Sequence, residues 1–373
     1  MPLYQKKHTF VVATGLMAFP TFQSMIQKST NLLLDIENIL HLLSYDKLFI
    51  LTDEHTKVLC LPLLEFNQHI REATLITVSA NDSNKTLDSL AEVWKALSAK
   101  GATRHSLLIN LGGGMVTDLG GFASATFKRG ITYINVPTTL LGAVDAAVGG
   151  KTGINFGCLK NEIGAFYPAH SVLISTDFFH TLSKEAILSG YAEMLKHALI
   201  FSRKEWEKLI AFSFDPIDFK QLNELLFHSV NIKQQIVLQD PLEKNVRKAL
   251  NLGHTIGHAF ESFAMEQNRP IPHGYAVAWG LIAELYLSHR VCGFPRKELR
   301  ATVRFIQQRY GAFLISCNDY DALYQLLTHD KKNKGDVINF SLLRNIGEVE
   351  IDQEVDKELI FEALDFYRDS VGL

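Results

Sequence analysis

The sequence predicts an α/β protein in two parts: an N-terminal nucleotide-binding domain built on a parallel, Rossmann-like sheet, and a mostly α-helical C-terminal domain. Two observations predict this division. Short β-branched runs alternate with helical stretches in the first half, which is the pattern of a parallel sheet covered by helices. From about residue 180 onward, long helical patterns dominate. The change of pattern places the two domains at residues 1–178 and 179–373.

Four apolar runs rich in β-branched residues predict the strands of the first domain. They span residues 47–53, 73–79, 106–114 and 131–137. Residues 86–100 place apolar side chains at helical spacing after a threonine that can serve as the N-cap, which predicts a helix between the second and third strands. The first twenty residues hold a short apolar run that Thr14 and Gly15 interrupt, so we expect an opening strand and loop instead of a signal peptide.

Four amphipathic patterns predict the long helices of the second domain. They cover residues 184–201, 219–239, 276–291 and 296–310, and a late run at 340–345 suggests one strand. No segment supplies the roughly 18 uninterrupted apolar residues that a membrane-spanning helix needs. The second domain is therefore expected to be mostly α-helical and not to span a membrane.

Composition indicates an ordinary soluble globular protein, and the cysteine usage favours the cytoplasm. The chain of 373 residues is 47% hydrophobic and 21% charged, with a formal net charge of −3. This balance lacks the basic excess that is typical of nucleic-acid binding. The four cysteines are scattered without a C-x-x-C pair, which argues against a disulfide framework or a thiolate zinc site and favours a reducing compartment.

Three histidines, His254, His258 and His273, lie on or beside one predicted helix. The first two are four residues apart and project from the same helix face, a spacing at which neutral imidazoles suit a zinc-type ion. Thr255 stands where the zinc-protease helix needs a glutamate, which excludes that motif. A buried histidine pair that is hydrogen-bonded to carbonyls explains the spacing equally well. The small residues of this helix, among them Gly257, would let another segment approach its backbone closely.

A glycine-rich loop follows the third predicted strand. Gly113 and Gly114 stand where a helix is predicted to begin, and the free amides of a helix N-terminus favour a phosphate. Thr117 replaces the third glycine of G-x-G-x-x-G, so a tight turn is an equal alternative. Asp53, at the end of the first strand, is placed as ribose-binding acids are, but it precedes the loop. An ordinary Rossmann order is therefore not expected.

Residues 136–168 are dense in small and polar side chains, which suits a backbone that wraps closely around ligands. Lys151, Lys160 and Asn161 can supply charge and hydrogen bonds to an anionic substrate. Asp145 is placed to accept a hydroxyl of cofactor or substrate. A solvated glycine loop with surface lysines is the alternative.

Seven motifs, in order along the chain, resemble the 3-dehydroquinate synthase family. They are GGGMVTDLGGFASATFKRG, VPTTLLGAVDAAVGGKTGIN, LKNEIGAFYP, GYAEMLKHALI, RKALNLGHTIGHAFE, HGYAVAWG and DKK, spread over roughly residues 45–345. The resemblance implies the conversion of 3-deoxy-D-arabino-heptulosonate 7-phosphate (DAHP) to 3-dehydroquinate and phosphate in the shikimate pathway. It also implies bound NAD+, a Zn²⁺ or Co²⁺ ion and a homodimer of a nucleotide-binding and a metal-binding domain.

The resemblance divides the histidines differently from helical spacing. It implies that Glu193, His254 and His273 bind the metal, which leaves coordination positions open for substrate oxygens, and that His258 relays protons with Glu243. Its substrate phosphate positions fall on Arg129, Lys151, Asn161 and Lys331, its carboxylate positions on Lys233 and Arg247, and its further hydrogen-bonding positions on Lys196 and Asn251. Arg129 is expected to reach the active site of the neighbouring subunit.

The same resemblance implies an NAD+ site. Its positions match Asp53, Asp82, Lys85, Gly113, Gly114, Asp118, Thr138, Thr139, Asp145, Lys160 and Thr181. The chain departs from the family pattern at four places near these motifs, which are His55, Asn81, Leu159 and Tyr275. None of the four removes a predicted ligand.

Two other enzyme classes compete with this interpretation: a sugar phosphate cyclase whose substrate lacks a carboxylate, and a net NAD-dependent polyol dehydrogenase. Lys233 and Arg247 argue against the first, because two buried cations without an anion would be costly. A dehydrogenase would accumulate NADH, whereas the synthase regenerates NAD+. A homologue without catalytic activity is a third alternative, against which the retained metal-ligand set argues.

Overall fold

The structure, a computed structural model, describes residues 24–157, 159–328 and 338–372, without the side chain of Leu159. The predicted opening strand and loop and Lys331 of the DKK motif lie outside these residues. The described strands are β1 Met25–Lys28, β2 Leu48–Asp53, β3 Thr74–Val78, β4 Leu107–Gly112, β5 Thr132–Pro137, β6 Lys151–Phe156, β7 Leu159–Phe166, β8 Ser171–Ile174, β9 Asn339–Asn345 and β10 Glu348–Glu354.

The described α-helices separate these strands in the first half and dominate the second. They are α1 Leu32–Leu42, α2 Glu54–Leu59, α3 Gln68–Glu72, α4 Leu87–Ala99, α5 Gly114–Thr126, α6 Lys184–Phe201, α7 Arg203–Ile210, α8 Phe219–Gln239, α9 His254–Glu266, α10 His273–Leu287, α11 Arg296–Tyr310, α12 Tyr320–Thr328 and α13 Lys357–Val371. Among the residues described, no helix combines the length and apolarity that crossing a membrane requires.

The main sheet has six parallel strands in the order β1-β8-β5-β4-β2-β3. Its central strand β4 is buried along its whole length, as expected of a parallel strand covered on both faces. This architecture confirms the predicted fold class. The predicted strands agree with β2 to β5 to within about one residue at most ends.

Contacts group the described residues into two compact units. One comprises residues 24–190 and Phe219–Gln234 and contains the six-stranded sheet. The other comprises Tyr191–Asp218 and residues 235–372 and is mostly helical, with the antiparallel pair β9–β10. The chain passes from the first unit to the second within α6 and again within α8.

The segment 136–168 contains an element that the sequence did not predict. Its second half folds into the antiparallel hairpin β6–β7, in which Gly153 pairs with Gly164. A Cβ atom on Gly164 would lie 2.1 Å from the carbonyl oxygen of Thr152, so only glycine allows the strands to approach in this way. The glycines that permit the pairing also interrupt the hydrophobic alternation by which strands are recognised.

Helices α9 and α10 pack at very short range through glycines, as the small residues of the histidine helix suggested. A Cβ atom on Gly280 would lie 2.2 Å from the carbonyl oxygen of Gly253 and 2.7 Å from the amide nitrogen of Gly257. The two helices therefore approach backbone to backbone. Each begins with a histidine of the predicted metal site.

We expect Gly280→Ala to lower the free energy of unfolding by about 1–3 kcal/mol, because the added methyl group must push α9 away from α10. Thermal unfolding of the metal-free protein measures the change. Helix propensity alone favours alanine over glycine by about 1 kcal/mol. An unchanged or higher unfolding temperature would therefore contradict the close packing.

Candidate active site

Three side chains from three helices converge in the helical unit. Glu193 lies in α6, and His254 and His273 are the first residues of α9 and α10. The Nε2 atoms of His254 and His273 lie 3.2 and 3.4 Å from Oε1 of Glu193. The ligand atoms of all three lie within 4.8 Å of one another. The structure thus brings together the three residues that the family resemblance names as metal ligands.

The second nitrogen of each imidazole ring is held by a neighbour. Nδ1 of His254 lies 3.1 Å from the carbonyl oxygen of Leu252, and Nδ1 of His273 lies 3.3 Å from a carboxylate oxygen of Glu261. Both partners accept hydrogen bonds, so they favour the tautomer that carries its proton on Nδ1. That tautomer presents Nε2 as a ligand, as metal-binding histidines usually do.

Burial and neighbouring charges set the protonation of this cluster. Glu193 is 0% exposed, and although burial raises its pKa, the adjacent Lys196 and His254 hold the pKa well below its usual range. Burial and the Lys196 cation lower the pKa of His254 to about 3. Burial also acts to lower the pKa of His273, but the Glu261 and Glu193 carboxylates raise it to about 10. A cation at this site therefore competes with a proton on His273.

The donor set fits a divalent, zinc-type cation. Neither carboxylate oxygen of Glu193 makes a well-aligned hydrogen bond to another described residue, although Lys196, His254 and His273 contact it. Lys196 places a positive charge at Oε2, whereas Oε1 faces the two imidazoles, and a buried carboxylate oxygen of this kind is costly unless a positive group lies beside it. One carboxylate and two imidazoles are a three-ligand zinc set that leaves a position for substrate.

His258 lies one helical turn beyond His254. Its ring centroid is 5.3 Å from that of His254 and 5.9 Å from that of His273. It belongs to a second group of possible ligands, with Glu261 and His273. Among the described residues, no such group contains both His254 and His258. Within the described residues, the pair that helical spacing suggested as joint ligands thus shares no group of three possible ligands.

Polar side chains of residues 240–251 add to this unit. Nδ2 of Asn251 donates to Oε1 of Glu243 at 3.0 Å, and Nη1 of the buried Arg247 donates to the carbonyl oxygen of Pro241 at 2.7 Å. The carboxylate of Asp240 organises the turn by accepting from three backbone amides within residues 244–247. Burial acts to raise its pKa, but those amides lower it below its usual range. The sequence analysis missed Asp240, whose signal is an acid placed just before a polar turn.

The glycine loop lies at the point where the sheet reverses its strand order. The chain leaves β2 for β3 on one side and returns to β4 on the other, so β2 and β4 are neighbours at a topological switch point. Asp53 ends β2, and Gly113 precedes α5 just after β4. A Cβ atom on Gly113 would lie 3.1 Å from Cγ2 of Thr139. The amide of Thr138, the residue before Thr139, donates to the carbonyl oxygen of Gly112 at 2.9 Å. The carboxyl ends of β2, β4 and β5 thus carry five of the predicted NAD+ residues, which are Asp53, Gly113, Gly114, Thr138 and Thr139.

Asp53 also has a structural role, which the sequence analysis did not foresee. Its Oδ1 accepts the amide of Thr56 at 2.7 Å and its own amide donates to the hydroxyl of Thr56, so the two residues form the capping box of α2. The helix alone accounts for an acid at this position.

An ion-pair network around the buried Lys85 joins several of the other predicted NAD+ residues. Nζ of Lys85, which is 3% exposed, lies 3.0 Å from Oδ2 of Asp118, 3.5 Å from Oδ1 of Asp82 and 2.5 Å from Oδ1 of Asn161. Nζ of Lys160 lies 3.2 Å from Oδ2 of Asp82. Burial acts to lower the pKa of Lys85, but the Asp118 and Asp82 carboxylates raise it above its usual value. Burial raises the pKa of Asp118 despite Lys85.

Lys233 has an anionic partner within its own unit. Its Nζ pairs with a carboxylate oxygen of Asp145, itself a predicted NAD+ residue. Lys233 counts against a substrate without a carboxylate only if it is a buried cation that faces no anion of the protein. The pair with Asp145 removes that premise, because a paired lysine is buried at much lower cost.

The other predicted residues of the sheet unit lie at its surface. Arg129, in a 3-10 turn, and Lys151, at the start of β6, are exposed. Thr181 is exposed and its hydroxyl donates to the carbonyl of Phe178.

Backbone conformation supplies a signal that sequence patterns do not carry. Arg129, Asn161 and Glu243, three of the predicted catalytic residues, have φ angles of 68°, 51° and 57° and are among seven described non-glycine residues with a positive φ. Left-handed conformations at residues other than glycine cost free energy and cluster at functional sites. Asn81, one of the departures from the family pattern, also has a positive φ, of 80°. Asparagine is among the residues that tolerate this conformation best.

Sequence comparison identifies relatives along most of the chain. Two sequence models of one family match adjacent parts: the 3-dehydroquinate synthase N-terminal domain at residues 75–189 and the 3-dehydroquinate synthase C-terminal domain at residues 190–333. A 3-dehydroquinate synthase from Parabacteroides distasonis is 55% identical over 339 residues, which cover 91% of this chain and 96% of the relative.

Solved structures share the fold. A 2-epi-5-epi-valiolone synthase from Streptomyces hygroscopicus, with NAD+ and Zn²⁺ bound, superposes with a TM-score of 0.83 at 24% identity, covering 95% of this chain and 99% of that one. A 2-deoxy-scyllo-inosose synthase complexed with carbaglucose-6-phosphate, NAD+ and Co²⁺ gives 0.80 at 25% identity, covering 91% and 95%. The likeness at 24% identity supports the fold alone.

Proposed function

The chain belongs to the 3-dehydroquinate synthase family, and we propose that its Glu193, His254 and His273 hold the metal with which it converts DAHP to 3-dehydroquinate and phosphate. The observation that carries the proposal is the convergence of these three side chains in a chain that the two family models match over residues 75–333. The protein is an enzyme that uses NAD+ and a divalent cation, Zn²⁺ or Co²⁺.

The substrate supplies much of the chemistry itself. Oxidation of a ring hydroxyl to a ketone acidifies the neighbouring C–H bond, and phosphate leaves by β-elimination. The ketone is reduced again, the ring opens, and an intramolecular aldol step closes the carbocycle. When bound, NAD+ would supply the acceptor and donor of the hydride, and a cation held by Glu193, His254 and His273 would polarise the oxygen at which negative charge develops. The role of the protein is then mainly to position a molecule that reacts with itself.

Within the helical unit, His258 is the proposed proton carrier. An imidazole titrates near neutral pH and can both accept and donate a proton during one cycle. The hydrogen-bonded pair of Glu243 and Asn251 is the proposed continuation of this relay and of the contacts to substrate hydroxyls. Lys196, on the face of α6 that carries Glu193, supplies a buried positive charge beside the metal ligands.

The proposal divides anion recognition between the two ends of the substrate. Lys151, Asn161 and Arg129 are assigned to the phosphate, as is Lys331 outside the described residues, and Arg247 and Lys233 to the carboxylate. Binding of a carboxylate would compete with Asp145 for Lys233. We further propose a cytoplasmic homodimer in which Arg129, exposed in this chain, contacts the substrate of the partner subunit.

The proposed NAD+ site gives a testable expectation at Lys85. In Lys85→Met, the Asp82 and Asp118 carboxylates lose their buried cation, and we expect NAD+ affinity to fall about 10- to 100-fold, the usual worth of a charged hydrogen bond. Calorimetric titration with NAD+ measures it. Lys95→Met, on the exposed face of α4, is the matched control. Equal affinities in the two variants would remove Lys85 from the cofactor site.

Substrate choice tests the function against its nearest competitor. The purified enzyme, with NAD+ and Zn²⁺, is offered DAHP or a sugar phosphate that lacks a carboxylate, such as glucose 6-phosphate, and the carbocyclic product is identified by mass spectrometry. We expect turnover of DAHP alone. Turnover of the sugar phosphate without a carboxylate, in place of DAHP, would assign the enzyme to the other sugar phosphate cyclases.

A further inference from the structure

Helix α9, which carries His254 and His258, has no capping side chain of its own. Its N-cap residue is Gly253, in the left-handed conformation with φ 78°. The first amides of a helix have no partner within the helix, and buried amides of this kind need an acceptor from elsewhere.

The acceptor comes from α10. Oε2 of Glu284 accepts the amide of Gly253 at 2.6 Å, and Oε1 accepts the amide of Ile256 at 2.9 Å. Each carboxylate oxygen thus takes one amide at the start of α9. Glu284 is 0% exposed, and a buried carboxylate is tolerated where hydrogen bonds and the positive end of a helix dipole stabilise it.

Glu284 lies on the same face of α10 as His273. It follows His273 by eleven residues, which is about three helical turns, and Gly280 lies between them on that face at two turns. This face packs directly against the backbone of α9, since a Cβ atom on Gly280 would lie 2.2 Å from the carbonyl oxygen of Gly253. One face of α10 therefore carries the predicted metal ligand His273 at its first residue and, about three turns later, Glu284, which caps α9.

We propose that Glu284 is a positioning residue for the metal site: by fixing the first turn of α9 to α10, it sets the distance between His254 and His273 and the direction of their Nε2 atoms. The inference rests on the proposed metal site. Glu284 touches neither substrate nor cation in this account. It acts through the backbone that begins one residue before His254.

The variant Glu284→Gln tests the role because it keeps the size of the side chain while turning one acceptor into a donor that faces a backbone amide. We expect zinc affinity, measured by competition with a chromophoric chelator, to fall about 10- to 100-fold, the range for residues that orient metal ligands. The d–d absorption of the cobalt-loaded protein should change, since it reports ligand geometry. kcat should fall more than KM rises.

Glu298→Gln is the matched control. Glu298 is also a buried glutamate of the helical unit, in α11, but it pairs with Arg203 and caps neither histidine helix. Glu298→Gln should lower thermal stability, while zinc affinity and the cobalt spectrum stay at parental values. Glu284→Asp keeps the charge and should restore part of the zinc affinity lost in Glu284→Gln.

Parental zinc affinity and cobalt spectrum in Glu284→Gln would overturn the inference, as would a loss no greater than that of Glu298→Gln. If Glu284→Gln does not fold, Glu284→Asp is judged by the same measurements against the parent: a weaker zinc site and an altered spectrum support the role, and parental values contradict it. Neither the zinc affinity nor the cobalt spectrum needs substrate. A parent that binds zinc but forms no dehydroquinate would refute the proposed reaction and leave the role of Glu284 decided separately.

Discussion

His258→Asn should lower kcat by about 10²- to 10⁴-fold, the usual contribution of a positioned proton carrier, and leave the zinc content of the purified protein at the parental level. Asparagine keeps a polar, though smaller, side chain that cannot take up a proton near neutral pH. In the structure, His258 lies outside the group formed by Glu193, His254 and His273. Steady-state kinetics and elemental analysis of the same preparation measure both quantities.

The same variant decides between the two arrangements of the histidines. His258 also belongs to a possible ligand group with Glu261 and His273. If His258→Asn were purified without zinc, that second group, or the helical pair of His254 and His258, would be the metal site. Loss of turnover with zinc retained is the combination that assigns His258 to proton transfer.

Glu193→Gln should weaken zinc binding by at least about 100-fold, because replacing even the outer partners of metal ligands costs about 10- to 100-fold. The substitution removes the only carboxylate of the three-ligand set and its attraction for a divalent cation. It also leaves Lys196, which is 1% exposed, without the carboxylate it pairs with. We expect the free energy of unfolding of the metal-free protein to fall by about 3–5 kcal/mol, as when one partner of a buried ion pair is removed.

The double variant Glu193→Gln, Lys196→Met separates the two effects. Removing the buried cation as well should recover part of the lost unfolding free energy, whereas zinc affinity should stay low. Chemical denaturation of metal-free protein and chelator competition measure the two quantities. A single Glu193→Gln variant with parental zinc affinity would show that Glu193 is not a ligand.

Regular elements were predictable where hydrophobic periodicity was undisturbed. The patterns at residues 184–201, 219–239 and 296–310 coincide with α6, α8 and α11. The pattern at 276–291 missed the first turn of α10, because His273 and Gly274 resemble the preceding loop and not an apolar helix. The strands β6 and β7 were missed because their glycines, which allow the two strands to pair closely, break the hydrophobic alternation that identifies strands.

The candidate site was predictable in residue type but not in arrangement. Spacing along a helix placed His254 and His258 on one face, yet it carries no information about α6 or α10, which are distant in sequence and bring Glu193 and His273 to the same point. Ordered motifs of the family supplied that link. The supporting contacts of Glu261 and Glu284 depend on backbone amides and ring nitrogens that only folding brings close, so no pattern of residues could have indicated them.

The most direct test follows phosphate, 3-dehydroquinate and NADH together while the purified, zinc-loaded enzyme acts on DAHP with NAD+ present. We expect phosphate and 3-dehydroquinate to appear in a 1:1 ratio, as the reaction requires, and NADH not to accumulate, since each hydride taken up is returned within the cycle. Net formation of NADH, or release of phosphate without the carbocycle, would contradict this expectation.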